Sequence, residues 1–263
     1  MKKIVLLFII LLHFGVFAQN KMSEVTLLNT MALVAEQIIG QDQFGFTYYK
    51  TNNVFYKMKD GISFEYKNIS LGTITKVDIK NPLRILLYYE NFNTVILLDN
   101  QLNEIQKINF SETNNSLLVS KIGIASQNQL WVFNELLQQI GLYDYLKNEY
   151  KSISTPLTVK IKKYQTNFNS FEWIDENNIW YRCDLFGKVT KETKVPDFDQ
   201  LLLLSDKELI YASNQHLYHF DGTKNEVSPL KILEKSFTNF DYKDQILSIF
   251  TTEGIINYKI TRP

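Results

Sequence analysis

A short unit recurs along the chain and limits the folds that it can adopt. Each copy has a bulky residue, an aspartate and several polar residues before a new apolar run. The copies are Leu98–Ile105, Tyr143–Tyr150 and Phe220–Val227, with a degenerate copy at Cys183–Val189. Their aspartates, Asp99, Asp144, Asp184 and Asp221, are successively 45, 40 and 37 residues apart. This period is typical of a β-propeller, in which each blade is a sheet of about four strands.

The residues of the unit suit a tight hairpin between two strands. An aspartate carboxylate accepts hydrogen bonds from backbone N–H groups further along the turn, and asparagine or glycine tolerates positive φ. Residues 135–150 also fit an amphipathic helix, but the repeat register places Asp144 at a hairpin and favours strands. A second polar tip, Ser126–Gln129 before Trp131, is matched with Asp175–Asn178 before Trp180 as one element of two blades.

The sequence predicts an all-β chain with a single β-propeller domain over residues 19–263. Alanine is scarce, whereas the β-branched and aromatic residues that strands favour are abundant. About six blades fit the length, although five or seven are also compatible with it. The predicted blades span 34–68, 74–110, 117–155, 166–193, 199–233 and 236–261, and the fourth and sixth are short enough for three strands. Part of residues 23–39 is predicted to pair with the last blade, so that N- and C-terminal strands close the ring.

Residues 1–18 have the pattern of a cleavable signal peptide. Lys2 and Lys3 precede an apolar core, and Val16–Ala18 forms the cleavage site. The mature chain would then begin at Gln19, with no cysteine there for a lipid anchor, and would be a periplasmic protein. No later segment has the run of about 20 apolar residues that a membrane-spanning helix needs. Without the two leader lysines, 26 basic residues face 28 acidic ones, and only three are arginine, which argues against nucleic-acid binding.

The sequence offers no convincing set of catalytic or cofactor-binding residues. His216 and His219 are three apart on a predicted strand, so they face opposite sides and do not share a metal ion. Calcium loops, nucleophile elbows and phosphate loops are missing from the sequence. The lone Cys183 has apolar neighbours and is predicted to be buried. These observations predict a protein that is not an enzyme and has no metal, cofactor or catalytic residue.

A protein partner is the predicted ligand, and blade two offers the candidate contacts. Asn81 and Pro82 interrupt the blade between two strands, and Phe92 is an aromatic residue on a polar hairpin tip. An exposed aromatic side chain there suits a partner contact, although Phe92 could instead fold back onto its own loop. Two alternatives are a glycan-binding propeller, using Trp131, Trp173 and Trp180, and a metal-dependent enzyme of the lactonase type. The repeat positions of the tryptophans favour core packing over sugar stacking.

Two segments carry a resemblance to known families. Asp42–Tyr48 resembles the segment that begins each blade of NHL-type propellers, whereas the sequence motifs that characterise WD40 and kelch repeats are missing. Val77–Leu83 together with Asn93–Glu104 resembles a family of small exported propellers of Bacteroidota, which includes the plug of the type IX secretion translocon. The resemblance implies a periplasmic protein that binds a large outer-membrane channel and occludes its periplasmic end. It implies no contact residues.

Overall fold

The computed structural model describes residues 24–113, 117–205, 207–234 and 236–261. They form six antiparallel sheets of four strands each, arranged as the blades of a ring. The predicted all-β propeller of about six blades is therefore confirmed. The predicted signal peptide, residues 1–18, and the predicted mature N-terminus at Gln19 lie outside the described residues.

In the described residues the strands follow one another with short connections, and Glu90–Phe92 forms a 3₁₀ turn. Blade one contains β2 (Gln37–Gln41), β3 (Thr47–Thr51), β4 (Val54–Lys59) and β5 (Ile62–Tyr66). Blade two contains β6 (Lys76–Asp78), β7 (Ile85–Tyr89), β8 (Thr94–Leu98) and β9 (Glu104–Asn109). Blade three contains β10 (Val119–Ile124), β11 (Gln129–Asn134), β12 (Gln139–Asp144) and β13 (Glu149–Ser152).

The remaining blades follow the same order until the ring closes. Blade four contains β14 (Ile161–Thr166), β15 (Ser170–Asp175), β16 (Ile179–Asp184) and β17 (Val189–Lys194). Blade five contains β18 (Gln200–Leu203), β19 (Glu208–Ser213), β20 (His216–Asp221) and β21 (Glu226–Leu230). Blade six contains β22 (Asn239–Lys243), β23 (Ile246–Phe250) and β24 (Gly254–Thr261), and its fourth strand is β1 (Glu24–Ala32).

The first and last strands close the ring, as the sequence predicts. β1 pairs antiparallel with β24, from Glu24 opposite Thr261 to Ala32 opposite Gly254. Blade six is therefore short in sequence because its fourth strand comes from the other end of the chain. The expectation of three strands in blade four was wrong, because β14 begins at Ile161, ahead of the predicted boundary.

Loop positions follow from the antiparallel strand order. The strands of each blade are here called A, B, C and D from the axis outwards, and the closest backbone approaches between neighbouring blades involve mainly the A strands. Because successive strands reverse direction, A–B and C–D loops lie on one face of the disc, here the A–B face. The B–C loops and the connections between blades lie on the opposite face, here the B–C face.

Burial decreases sharply from the inner strands of a blade to its outermost D strand. The B and C strands of blade two, β7 and β8, are buried at every position, and β15 of blade four is as well. Neighbouring blades cover both faces of these strands, which explains the nearly continuous apolar runs of β7 and β8. The D strands β13 and β17 are mostly exposed and polar, which protects the outer sheet edges from pairing with another chain.

The four repeated aspartates all lie at C–D hairpins. Each Oδ1 accepts two backbone N–H groups at 2.8–3.1 Å. The donors are Gln101 and Asn103 for Asp99, Leu146 and Lys147 for Asp144, Phe186 and Lys188 for Asp184, and Thr223 and Lys224 for Asp221. Asn148, Gly187 and Asn225 have the positive φ of the turn, whereas in blade two that residue is Leu102 rather than Asn103.

The prediction that the second pair of polar tips forms the same element in two blades was wrong. Ser126–Gln129 forms the A–B turn before β11, whereas Asp175–Asn178 forms the B–C turn before β16. The two tips therefore lie on opposite faces. They look alike because both are short polar turns in which the Ser126 carbonyl or the Asp175 carboxylate caps the following strand. An apolar residue followed by a tryptophan also lies near the start of each strand.

Removing a turn carboxylate is expected to cost stability without affecting a ligand site. Asp144→Ala and Asp221→Ala should each lower the free energy of unfolding by about 0.5–2 kcal/mol, because two backbone N–H groups lose their acceptor. Urea unfolding at neutral pH measures the change. Asp144→Asn is the matched control, because it keeps an acceptor oxygen and should keep most of the stability. Full stability of Asp144→Ala together with lost partner binding would assign the residue a functional role instead.

Candidate functional site

The A strands bring charged side chains from distant parts of the chain towards the axis of the disc. Lys76, Asp78 and Lys80 come from β6 and the loop after it, Lys163 comes from β14, and Asp241 comes from β22. Electrostatic interactions link Lys76 with Lys163, and Lys80 with both aspartates. This group, here called the axial cluster, therefore contains three lysines and two aspartates.

Asp78 joins blades two and three at the axis. Its carboxylate accepts the backbone N–H groups of Lys80 and Ile124 at 3.0 Å each, and the Lys80 Nζ lies 3.3 Å away. Burial raises the pKa of Asp78, but the Lys80 charge and the two backbone donors outweigh burial and lower that pKa below its usual value. Asp78 is therefore a charged and satisfied structural anchor.

For Asp241, Lys76 and Lys163, other interactions do not outweigh the effect of burial on the pKa. Burial raises the pKa of Asp241, and the Tyr242 backbone N–H and the charges of Lys80 and Lys243 offset this effect only in part. Burial lowers the pKa of Lys76. Burial and the neighbouring charge of Lys76 lower the pKa of Lys163. Lys76 and Lys163 thus both bring positive charge towards the axis.

A glycine allows two A strands to pack closely beside the cluster. Gly123 lies on β10, and a side chain there would collide with Thr166 of β14. Tyr164 of the same strand donates its hydroxyl to the Ile122 carbonyl at 3.2 Å and accepts the Ile122 N–H at 3.3 Å. The Lys76 Nζ lies 5.1 Å from the centre of the Tyr164 ring, so it extends from blade two, past blade three, to blade four.

Three A–B loops expose an apolar side chain on the A–B face. The exposed fractions are 53% for Phe44, 65% for Leu83 and 40% for Phe168. In each loop the residue follows an aspartate or asparagine whose Oδ1 accepts backbone N–H groups of the turn: Asp42, Asn81 and Asn167. We call Phe44, Leu83 and Phe168 the apolar rim. Its members follow the turn residue by two positions in blades one and two, and by one position in blade four.

Contacts between loops hold the apolar rim in place. The Arg84 guanidinium donates to the Asn128 side chain and the Tyr145 hydroxyl of blade three. The Ser126 N–H donates to the Phe168 carbonyl at 2.9 Å, which joins the A–B loops of blades three and four. The Lys59 Nζ donates to the Phe44 carbonyl at 2.8 Å. The apolar side chains therefore project from ordered turns, which lowers the entropic cost of binding.

The predicted contacts Asn81, Pro82 and Phe92 do not form one surface. Asn81 and Pro82 precede β7 on the A–B face, whereas Phe92 follows β7 on the B–C face. Pro82 is buried, and the Asn81 Oδ1 accepts the Leu83 N–H at 3.1 Å, so both residues build the turn. Phe92 is half exposed, and its ring covers Gly72 in the preceding connection. Pro82 is therefore not available for the predicted partner contact.

Other candidates from the sequence lie in the core or apart from one another. Trp131, Trp173 and Trp180 are at most 1% exposed and offer no surface for stacking a sugar. Cys183 is buried, and burial raises the pKa of its thiol to about 12. His219 contacts Glu208 at 3.2 Å, whereas His216 contacts the Asn214 carbonyl. Within the described ranges no three His, Cys, Asp or Glu side chains gather as metal ligands.

Comparison with known proteins supports the fold at low sequence identity. No protein-family model matches the sequence, and no curated protein matches it. Virginiamycin B lyase from Staphylococcus aureus is similar in structure, with 14% identity over 85% of this chain and 79% of the lyase, and a TM-score of 0.57. A member of the DUF4221 family from Bacteroides vulgatus has 9% identity over 92% of this chain and 99% of its own, with a TM-score of 0.59.

A third neighbour is PorZ of Porphyromonas gingivalis, an essential surface component of its type IX secretion system. The identity is 12% over 85% of this chain and 31% of PorZ, and the TM-score is 0.50. The neighbours thus include Bacteroidota propellers and at least one enzyme, and at these identities the likeness shows the fold alone. Among the described residues no helix is long and apolar enough to cross a membrane.

Proposed function

We propose that the protein is an exported, periplasmic β-propeller that binds a protein partner and catalyses no reaction. Its partner is a large outer-membrane channel of the type IX secretion system, whose periplasmic end the propeller occludes. The propeller docks with its A–B face, through the apolar rim of Phe44, Leu83 and Phe168.

The apolar rim is the observation that carries the proposal. Loop tips of soluble domains are usually polar, yet three equivalent A–B loops each expose a large apolar side chain. Apolar and aromatic groups supported by ordered neighbours are typical of the central contacts in protein interfaces. The balanced charge of the chain gives little long-range steering, which favours recognition by shape and apolar contact.

Three further features support export and a secretion channel. The signal-peptide pattern of residues 1–18 favours export. The resemblance of blade two to exported Bacteroidota propellers favours a translocon partner. The structural likeness to PorZ, a component of a type IX secretion system, is compatible with this role.

Placing a charge on the apolar rim should weaken capture of the channel. Leu83→Asp and Phe44→Asp are each expected to reduce the captured outer-membrane protein about tenfold, because an interface contact would bury an unpaired carboxylate. Tagged variants are expressed in the native cells, and the partners that co-purify are measured by mass spectrometry. Ile69→Asp is the matched control, since Ile69 is 83% exposed on the B–C face.

Two other outcomes would contradict the proposal. Loss of capture in Phe92→Asp, with full capture in Leu83→Asp, would place the interface on the B–C face. Failure of the wild-type protein to capture any outer-membrane protein would remove the channel as partner. Unchanged melting temperatures of the variants show that binding rather than folding has changed.

A further inference from the structure

Four apolar side chains are exposed on the B–C face of blades two and three. Phe92 lies in the B–C loop of blade two, Leu118 in the connection between the blades, and Leu136 and Leu137 in the B–C loop of blade three. Their exposed fractions lie between 46% and 68%. We call these four residues the apolar strip. Single exposed apolar residues are common on protein surfaces, so the significance of the strip depends on whether its members are neighbours.

Hydrogen bonds between the loops make the members of the strip neighbours. The side chain of Asn93, next to Phe92, accepts the Val119 N–H at 3.1 Å and donates to the Leu117 carbonyl at 2.5 Å. It thereby holds the backbone on both sides of Leu118. The Leu118 carbonyl in turn accepts the N–H of Glu135, the residue before Leu136, at 2.8 Å. The strip therefore crosses the boundary between two blades on ordered backbone.

The same three segments carry exposed acidic residues and no basic ones. Glu90 lies in the B–C loop of blade two, Glu112 in the connection, and Glu135 in the B–C loop of blade three, and all three are exposed. The segments contain no lysine or arginine. Among the described residues none of these carboxylates forms an ion pair. Lys121, on the strand that follows the connection, is near enough to Glu135 to help lower its pKa.

This distribution of charge limits the kinds of partner that suit the strip. A second copy that docked on the strip about a twofold axis would place the same acidic patch against itself, which like-charge repulsion disfavours. A membrane with anionic lipids would be repelled as well. A partner with basic groups beside apolar ones would instead be attracted by the carboxylates and bury the strip.

We propose that the apolar strip binds a segment of a second partner protein in which apolar side chains are flanked by lysine or arginine. An amphipathic helix with such residues presents its apolar side chains at i, i+3, i+4 and i+7 on one face. The apolar side chains of the partner cover the strip, and its basic groups lie beside Glu90, Glu112 and Glu135. Because the strip is on the B–C face, this binding is independent of docking through the apolar rim on the A–B face.

Fluorescence anisotropy with a labelled synthetic helix tests the chemistry of the partner. The probe is an amphipathic peptide of about 14 residues with leucines on one face and lysines on the other. The wild-type protein should bind it, and replacing the lysines by glutamates or the leucines by serines should each weaken binding about tenfold. Absence of binding to the wild type, or equal binding of the glutamate peptide, would overturn the proposal.

Variants of the protein locate the binding surface. Leu136→Ser removes an apolar contact and Glu112→Gln removes a charge, and each should weaken binding of the lysine peptide about fivefold or more. The matched controls are Phe186→Ser, an exposed apolar residue in a C–D turn on the opposite face, and Glu176→Gln, an exposed acid in the B–C turn of blade four. Both should bind the peptide as the wild type does. An equal loss in variants and controls would show that binding is nonspecific and would refute the strip as the site.

Two further measurements test the other possible occupants. In analytical ultracentrifugation the wild-type protein should show no dimer that Leu136→Ser abolishes, because such a dimer would assign the strip to a second copy. Vesicles of phosphatidylcholine should not bind the wild-type protein, and binding that Leu136→Ser removes would assign the strip to lipid. Melting temperatures of the variants should equal that of the wild type, since the replaced side chains are exposed. If Leu136→Ser melts earlier, Leu137→Ser takes its place, and full peptide binding by a folded variant of either leucine would contradict the proposal.

Discussion

Asp78→Ala should destabilise the protein by about 3–4 kcal/mol, because the substitution leaves two backbone N–H groups without an acceptor at the axis. One of these donors, that of Ile124, is buried between blades two and three. The substitution also removes the ion pair with Lys80. Chemical denaturation at pH 7 measures the loss, and the transition should remain cooperative.

Asp78→Asn separates charge from hydrogen bonding and predicts a dependence on pH. The native pKa of Asp78 is lowered, so the charged carboxylate stabilises the fold above its unfolded pKa of about 3.9. This contribution is lost as the pH falls through the lower native value. The stability difference between the wild type and Asp78→Asn should therefore be largest near neutral pH and shrink in acid. A constant difference down to strongly acidic pH would show that charge plays no part.

Trp173→Ala is expected to cost about 3–5 kcal/mol, the range for removing a large buried aromatic side chain. Trp173 is 1% exposed, and its ring stacks on Tyr181 with the ring centres 5.2 Å apart. Loss of the indole leaves a cavity in the core of blade four that the surrounding strands fill only in part. Thermal and denaturant unfolding should both report the change.

The matched control is Trp173→Phe, because the tryptophan N–H has no acceptor among the described residues. Phenylalanine keeps the ring contact and removes an unsatisfied donor, so it should cost much less than alanine. Trp180→Phe should cost more than Trp173→Phe, since the Trp180 N–H donates to the buried Glu172 carboxylate at 2.9 Å. The reverse order would contradict this account of the core.

The fold could be predicted because its signals are local. The C–D turns need a carboxylate that caps the backbone and a residue with positive φ, and Asp144 with Asn148 meets both needs within a few positions. The error over Asp175–Asn178 has the same origin, because A–B and B–C turns use similar polar residues. The sequence distance between turns does not reveal which strand of a blade precedes each of them.

The candidate sites could not be predicted in the same way. Lys76, Lys163 and Asp241 come towards the axis only because the ring gathers the A strands of three blades, and each looks locally like a solvent-facing strand residue. A sequence pattern does indicate the apolar rim, because Asp42, Asn81 and Asn167 each begin a short turn that contains a large apolar residue. Asn81 and Pro82 are the predicted contacts in this turn, although the exposed side chain is that of Leu83.

Pairing of β1 with β24 has a consequence for the order of folding. Glu24 meets Thr261, so nearly the whole described chain must be in place before this contact forms. Contacts between such distant residues carry a large loop-closure cost and form slowly. A chain that stops before β24 lacks the strand that lies between β1 and β23, so both of these strands keep an open sheet edge. Ring closure is therefore expected as a late kinetic step, and a nascent chain stays exposed to aggregation until its final strand arrives.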